Sequence, residues 1–261
     1  MSIIPYKSLI TLGLLAVSLL PVTAAEPNAD ELLRAMSTKL AAAQSFSFDA
    51  TREIDAALLE GRNVAEKARI TAAVQRPSKL AAQAKSKLGV RRFIADGKTA
   101  TLFDAKTNHY ASVPMPATLD GLVAKLDEKY GFTPPLAEFA LSDPYADLRR
   151  QAESVTYLGL GKTTGGFLGL GGVECHRLAL KGKDADAELW IAVSDQLPRK
   201  LVATFHLEGQ PQVRINFTKW NLNAPVTASS FTFTPPEGAE KIEMLSTDKM
   251  QALTKASSKK S

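Results

Sequence analysis

Apolar residues near the N-terminus recur at helical intervals. They are Leu32, Leu33, Met36, Leu40 and Ala43. Asn28 precedes these residues, and Glu31 follows it three positions later. This is the spacing of a capping box, which marks the start of a helix. The pattern therefore predicts an amphipathic helix that begins after Asn28 and buries one face.

The hydrophobic period then changes to two. The runs SFSFDATREID and NVAEKARITAAVQ alternate apolar and polar residues and predict an antiparallel hairpin with one apolar face. The runs LAAQAKSK, VRRFIA, KTATLF and HYASV follow at short spacing. Asp96-Gly97 between two of them is a hairpin signal, because a type I′ turn requires positive φ. The first half is therefore predicted to be a helix and a meander of about six strands.

Proline and a return to helical spacing interrupt the meander. Pro114 and Pro116 end it, and ATLDGLVAKLDEKYG then repeats apolar residues on one helical face, with Gly131 as the C-terminal cap. Asp143-Pro144 predicts a second start, with an N-cap followed by proline at the first helical position. Each of these short helices has a single apolar stripe, so each must cover an apolar surface.

Alternation resumes in the second half. The runs are SVTYLGLG, VECHRLALKG, ADAELWIAV, RKLVATFHLEG, QPQVRINFTKWNL and SFTFTPPEGAEKI. Together with the first half they make about eleven strands with the helices in two blocks. This order predicts a mainly β, α+β fold: one strongly curved antiparallel sheet whose concave face is covered by helices.

The N-terminus predicts export. A single basic residue, Lys7, precedes the apolar run LITLGLLAVSLLP, and small residues follow in VTAAE. A helix needs about 20 apolar residues to span a bilayer, and this run is shorter. Its length therefore favours a cleaved signal over an uncleaved anchor. We expect a signal peptide at 1–24, one domain at 25–245, a disordered basic tail at 246–261 and a periplasmic location.

Composition and motifs exclude several functions. The net charge of +5 is modest and the basic residues are spread along the chain, so no nucleic-acid surface is predicted. The run GLGKTT lacks the first glycine of a phosphate-binding loop, since that position is Thr156, and glycines rather than a helix follow it. The sequence therefore predicts no nucleotide and no cofactor.

No catalytic or metal site is predicted either. The only cysteine, Cys175, precedes His176 in a strand, and neighbouring strand residues point to opposite faces. His109, His176 and His206 lack acidic partners at metal-ligand spacing. Arg91 and Arg92 also lie on opposite faces of one strand, where either a solvated role or a contact with an anionic head group is open. We expect a protein that is not an enzyme.

Several sequence segments resemble those of a known family. They are SFSFDA, RPSKL, ADGKTATLFDAKTNHY, LWIAVSDQLPRKLVATFHLEG and FTFTPPEGAEKI, and they are similar to a periplasmic family related to the outer-membrane lipoprotein carriers LolA and LolB. GGVECH followed by Leu189-Trp190-Ile191 is most similar to a branch of unknown function within that superfamily. The resemblance covers nearly all of the mature chain. It implies an unclosed β-barrel with a helical lid and an apolar cavity that takes lipid chains, and it supplies no catalytic residue.

These expectations lead to a carrier hypothesis. The chain would be a monomer that binds a lipid, a lipoprotein acyl chain or another apolar molecule, with transient membrane or envelope-protein contact. Candidate cavity residues are Phe46, Phe48, Phe93, Phe103, Leu122, Val123, Leu126, Trp190, Phe205, Phe217 and Trp220. A second hypothesis is a periplasmic regulator or adaptor that uses the same fold to bind a protein in envelope-stress sensing.

A glycine-rich run, KTTGGFLGLGG, is predicted to connect two neighbouring strands. Its apolar residues are Phe167, Leu168 and Leu170. Either they fold back onto the sheet, or they form a mobile hydrophobic lip at the mouth of the cavity or against a membrane.

Overall fold

The structure, a computed structural model, describes residues 26–59, 61, 63–134, 136–164 and 171–250. Its helices are α1 (Ala29–Ala42), α2 (Leu119–Tyr130) and α3 (Pro144–Gln151). Its strands are β1 (Ser45–Ile54), β2 (Glu66–Gln75), β3 (Lys79–Ser86), β4 (Gly89–Asp96), β5 (Thr99–Asp104), β6 (His109–Pro114), β7 (Ser154–Lys162), β8 (Glu174–Lys181), β9 (Ala185–Ala192), β10 (Pro198–Phe205), β11 (Gln212–Asn221) and β12 (Glu240–Lys241). Within the described ranges, short 3-10 helices span Ala56–Leu58, Ala137–Ala140 and Ala228–Phe231.

The described strands form one sheet that does not close. Their order is β12-β6-β5-β4-β3-β2-β1-β11-β10-β9-β8-β7, so β12 and β7 are the two edges. Two meanders, β1 to β6 and β7 to β11, are joined where β1 pairs with β11. The predicted fold class, a mainly β unclosed barrel with a few helices, is confirmed.

The sheet is mixed rather than wholly antiparallel. Every neighbouring pair is antiparallel except β12 and β6, where Glu240 lies beside His109 in the parallel sense. The chain that follows β11 leaves the middle of the sheet, and its 3-10 helix Ala228–Phe231 contacts β3 and β4. It then reaches the far edge, where Glu240 and Lys241 pair with β6 in the parallel sense.

The core lies on one side of the sheet, called here the inner face and marked by Phe48, Ala72 and Ala82, which are cross-strand partners. Leu33, Met36 and Leu40 of α1 pack into this core and are fully buried, as are Leu122 and Leu126 of α2. Burial of each such side chain stabilises the fold by roughly 1.5 to 3 kcal/mol. The predicted amphipathic helices thus cover the inner face.

The helix ends follow the predicted signals. The Asn28 side chain accepts hydrogen bonds from the amides of Asp30 and Glu31. Gly131 ends α2 with a φ of 58°, in the left-handed region that glycine adopts without cost. Asp143 is the N-cap of α3, and Pro144 is the first residue of this helix. No helix in the part of the chain that the structure describes is long and apolar enough to cross a membrane.

Candidate functional site

An aromatic cluster occupies the middle of the inner face. Phe48 of β1 packs against Trp220 and Phe217 of β11, with ring centroids 4.9 and 5.6 Å apart. Phe139 of the 3-10 helix Ala137–Ala140 meets Phe217 edge-on at 5.3 Å. Aromatic pairs at such distances prefer tilted and edge-on contact, so the cluster joins sheet to cover by specific geometry. Because β1 and β11 lie mid-sheet, the cluster separates two regions of the inner face.

The first cavity lies over β1 to β5 and has a volume of about 400 Å³. Its walls on the sheet are mostly apolar and include Ile70, Ala72, Leu80, Phe93 and Leu102. Small alanines at neighbouring positions of β2 and β3 create the space, since larger side chains there would fill it. The volume is within the range of roughly 300 to 1,000 Å³ that is typical of small-molecule sites.

A cover segment, defined as residues 132–134 and 136–140, closes the first cavity on the helix side. Phe132, Leu136 and Ala140 line the cavity, and the Phe132 ring lies 6.3 Å from that of Phe93. Leu136 has a φ of 66°, which is uncommon for a residue with a side chain. The cover is therefore irregular backbone that ends in the short 3-10 helix Ala137–Ala140 rather than a regular α-helix.

Arg76 holds this cover in place. Its Nη1 donates to the backbone oxygens of Ala140 and Leu141, both at 2.6 Å. Its Nε donates to the oxygen of Ala43 just after α1 at 3.1 Å. Burial lowers the pKa of Arg76, with the Asp120 carboxylate acting in the opposite direction. One side chain between β2 and β3 thus ties together the sheet, α1 and the cover segment.

One end of the first cavity is polar. Arg52 Nη2 lies 3.4 Å from Glu66 Oε1, and both side chains are almost completely buried. Arg91 Nε donates to Asp104 Oδ2 at 3.0 Å. Burial lowers the pKa of Arg52, partly offset by the Glu66 carboxylate. Burial alone would raise the pKa of Asp104, but hydrogen bonds from Arg91 and the backbone outweigh it and lower that pKa.

The second cavity lies on the other side of the aromatic cluster, over β8 to β10 and beneath α2 and α3. Its volume is about 950 Å³. Leu180, Ala187, Leu201 and Phe205 form an apolar floor, whereas carboxylates surround it on the helix side and at the β8–β9 turn. They are Asp120, Asp127, Glu138, Asp143, Asp147, Asp184 and Asp186.

Glu138 is the most perturbed of these carboxylates. Burial raises its pKa to about 7, and the nearby Asp147 carboxylate adds to the rise. Asp147 itself is buried and accepts hydrogen bonds from Arg150 and Gln151. The second cavity is thus larger but acidic, and its charge changes near neutral pH.

The predicted cavity residues separate into groups. Phe48 and Phe93 line the first cavity, and Val123 and Phe205 line the second. Phe46, Phe217 and Trp220 belong to the central aromatic region, where Phe46 lies 6.2 Å from Trp220. Leu122 and Leu126 are buried in the core and line neither cavity.

Phe103 and Trp190 lie on the opposite, outer face of the sheet. Phe103 pairs with Tyr110, and both rings pack on Phe233 of the C-terminal segment. Trp190 alternates with the core residues Leu189 and Ile191 and therefore points outward. Neither aromatic side chain lines the first or the second cavity, because each points away from the inner face of the sheet.

The indole of Trp190 is part of a charged outer surface. The Arg177 guanidinium and the Lys200 ammonium lie 5.1 and 4.8 Å from its ring. Its Nε1 donates to Glu188 Oε1 at 2.8 Å. Cation–π contact and a hydrogen bond satisfy the ring here without a ligand.

The glycine-rich run does connect β7 and β8, which pair with each other. At its ends, the Thr163 amide donates to the Val173 oxygen, and the Val173 amide donates to Thr163 Oγ1, both at 2.9 Å. Phe167, Leu168 and Leu170 lie outside the described residues. The two alternatives, a mobile hydrophobic lip or side chains packed on the sheet, therefore both stay predictions.

The residues Cys175 and His176 form no nucleophile and base pair. Burial raises the pKa of Cys175 to about 11, so this thiol stays protonated at neutral pH. His176 Nδ1 lies instead 3.1 Å from the hydroxyl of Tyr157. Among the described residues, no group of three or more His, Cys, Asp or Glu side chains is placed to hold a metal ion.

Four functional candidates were not predicted from the sequence: Arg52, Glu66, Arg76 and Glu138. The sequence does contain a signal for Arg52. It follows Phe46, Phe48 and Ala50 at every second position of β1, so its side chain lies on the same, inner face. No sequence pattern marks Arg76, whose partners are backbone oxygens distant in the chain.

Residues 29–245 match the family described as predicted periplasmic protein (DUF2092). The chain belongs to this family. The match confirms the predicted membership of a periplasmic family. A search of curated protein sequences gives no significant match.

Solved structures with a similar fold are distant in sequence. MucB in complex with MucA from Pseudomonas aeruginosa is 16% identical with a TM-score of 0.42, over 80% of this chain and 62% of that chain. The chain thus spans about three fifths of the MucB chains that it matches. A LolA superfamily protein from Nitrosomonas europaea is 9% identical with a TM-score of 0.38, over 79% of this chain and 99% of that one.

Proposed function

We propose that this protein binds one lipid, acyl chain or other apolar molecule in the first cavity and carries it through the periplasm. The observation that supports the proposal most is the cavity itself, about 400 Å³ between an apolar sheet and the cover segment. An apolar cavity of this size favours apolar occupants, because water gains few hydrogen bonds there. Each methylene group removed from water contributes about 0.8 kcal/mol to binding.

The cover segment supports a carrier rather than a permanent ligand site. It has no continuous α-helix or strand, and it is attached by the hydrogen bonds of Arg76 and by the packing of Phe139 in the aromatic cluster. Elements with few regular hydrogen bonds open at lower free energy than core strands. A ligand could therefore enter and leave beside this segment without unfolding of the sheet.

A pair of matched variants tests the proposal. Ala82 lines the first cavity, so Ala82→Phe places a ring inside it. Thr71→Phe places the same ring on the exposed outer face of the neighbouring strand β2. We expect a fluorescent apolar probe, N-phenyl-1-naphthylamine, to bind the natural chain and Thr71→Phe equally and to bind Ala82→Phe at least about tenfold more weakly.

Thermal melting of the same samples provides the control for folding. Overpacking costs roughly 1 to 3 kcal/mol, so Ala82→Phe should melt somewhat lower but still cooperatively. Equal probe binding by a folded Ala82→Phe and the natural chain would show that the first cavity is not the binding site, and the proposal would then fail.

A second candidate function, binding of a partner protein, is supported by β7, which is an edge strand of the described sheet. Leu158 and Leu160 on this edge strand are 43% and 54% exposed. An extended peptide can add to such an edge through backbone hydrogen bonds, with apolar side chains giving specificity. Crosslinking in cells from a photoreactive residue at position 160 would recover one dominant protein if this function is correct, and only diffuse products if it is not.

A further inference from the structure

Charged side chains gather at one end of the first cavity. Arg52 lies near the end of β1, Glu66 at the start of β2, Arg91 near the start of β4 and Asp104 at the end of β5. Because these strands run antiparallel, the four positions meet at the same end of the sheet. All four line the cavity.

The opposite end of the cavity is apolar. Val74 and Leu80 are cross-strand partners there and are buried, and Phe93 lies between that end and the charged one. The cavity therefore changes from charged to apolar along the strand direction. A ligand that fits this gradient carries a polar group at one end and a hydrocarbon chain at the other.

Arg52 is the charged group with unused hydrogen-bonding capacity. Its side chain is 11% exposed, and its Nε is buried with no hydrogen-bond partner among the described residues. The contact of Nη2 with Glu66 is 3.4 Å, longer than the roughly 2.7 to 2.9 Å of a strong charge-assisted bond. A guanidinium has five N–H donors, and leaving a buried donor unpaired is costly.

Arg91 differs from Arg52 in the exposure of its side chain and in the pairing of its Nε. Its side chain is 54% exposed, and its Nε is already paired with Asp104 at 3.0 Å. Its charge adds to the positive potential at this end of the cavity, which the lowered pKa of Arg52 also reflects. Arg52 is thus the group in this cavity that a buried anion would contact.

We propose that the ligand of the first cavity is a single-chain amphiphile with a terminal carboxylate, of the fatty-acid type, whose carboxylate binds Nε and an Nη of Arg52. This inference rests on the proposed function and adds the chemical class of the ligand. A planar carboxylate matches the fork of a guanidinium, and two parallel N–H···O bonds form. The modest volume favours one hydrocarbon chain over two.

Glu66 competes with the ligand for Arg52. With the ligand bound, the carboxylates of Glu66 and of the ligand lie near the same guanidinium and repel each other. Neutralising Glu66 should therefore strengthen carboxylate binding, whereas neutralising Arg52 should weaken it. A purely structural ion pair would not produce this opposite response.

The experiment compares laurate with dodecanol as competitors of N-phenyl-1-naphthylamine at neutral pH. We expect the natural chain to bind laurate about ten- to a hundredfold more tightly than dodecanol. Glu66→Gln should bind laurate more tightly still, and the double variant Arg52→Met with Glu66→Gln should lose the preference. The double variant removes both charges of the ion pair together, and Arg69→Met, at an exposed position of β2 that does not line the cavity, is the control.

The outcomes separate this inference from the proposed function. Equal binding of laurate and dodecanol by the natural chain, or an unchanged laurate preference in the folded double variant, would overturn the carboxylate assignment and leave an apolar carrier. Failure of both competitors and of the probe to bind would contradict the proposed function itself.

Discussion

Glu138 carries a pH dependence that belongs to a single residue. Its ordinary pKa of 4.5 applies to the unfolded chain, whereas burial raises the pKa in the folded protein to about 7. Between these values the folded state holds a proton that the unfolded state has released. The free energy of unfolding therefore falls as pH rises through this window, and the full penalty is reached above the folded pKa.

The corresponding prediction concerns Glu138→Gln. We expect the natural chain to lose on the order of 2 kcal/mol of stability from about pH 5 to about pH 8, after allowance for partial solvent contact, and the variant to lose much less. Urea unfolding at the two pH values measures the difference. Glu128→Gln, an exposed change in α2, should behave as the natural chain does. Parallel pH profiles for natural and Glu138→Gln proteins would contradict the assignment.

The Asp96-Gly97 turn shows that a local sequence signal can predict a hairpin without predicting its turn type. Asp96-Gly97 does mark the β4–β5 hairpin, but the loop residues are Gly97 and Lys98, and only Gly97 has a positive φ. The Asp96 carboxylate accepts hydrogen bonds from the amides of Lys98 and Thr99 instead of occupying the turn itself. The hairpin was predictable, whereas its turn type depended on which residue ended the strand.

At the scale of elements, the C-terminal segment differs most from its pattern. The alternating run SFTFTPPEGAEKI predicts a strand, but its first two residues complete the 3-10 helix Ala228–Phe231, and the rest is irregular chain and a turn up to the short β12. Pro235 and Pro236 have no amide hydrogen for a ladder, which limits pairing to the two residues Glu240 and Lys241. Phe231 is 1% exposed and anchors this crossing over the outer face.

The segment therefore acts as part of the domain. We predict that Phe231→Ala lowers the free energy of unfolding by about 3 to 5 kcal/mol, because a large buried ring leaves a cavity. A chain that ends at Leu245, the proposed end of the domain, should keep nearly full stability. Urea unfolding of both proteins is the measurement. A stable Phe231→Ala protein, or a chain ending at Leu245 that unfolds, would contradict this account of the segment.

At the scale of the whole molecule, alternation and helix caps were enough to predict an open sheet covered by helices. They could not predict two cavities, because the cavities depend on how the cover segment and the aromatic cluster meet the sheet. Phe103 and Trp190 show the limit clearly: both are large aromatic residues in strands, yet both face outward. The volume left between alanines of β2 and β3 is a property of packing rather than of any sequence pattern.

The central claim is that the first cavity carries one apolar ligand in the periplasm, and native mass spectrometry of protein purified from a bacterial periplasm tests it most directly. We expect the natural chain to show a bound species of the mass of one single-chain lipid, released on activation, and the folded Ala82→Phe variant to lack it. Natural protein without any such species, or an equal amount of the species on both proteins, would contradict the claim.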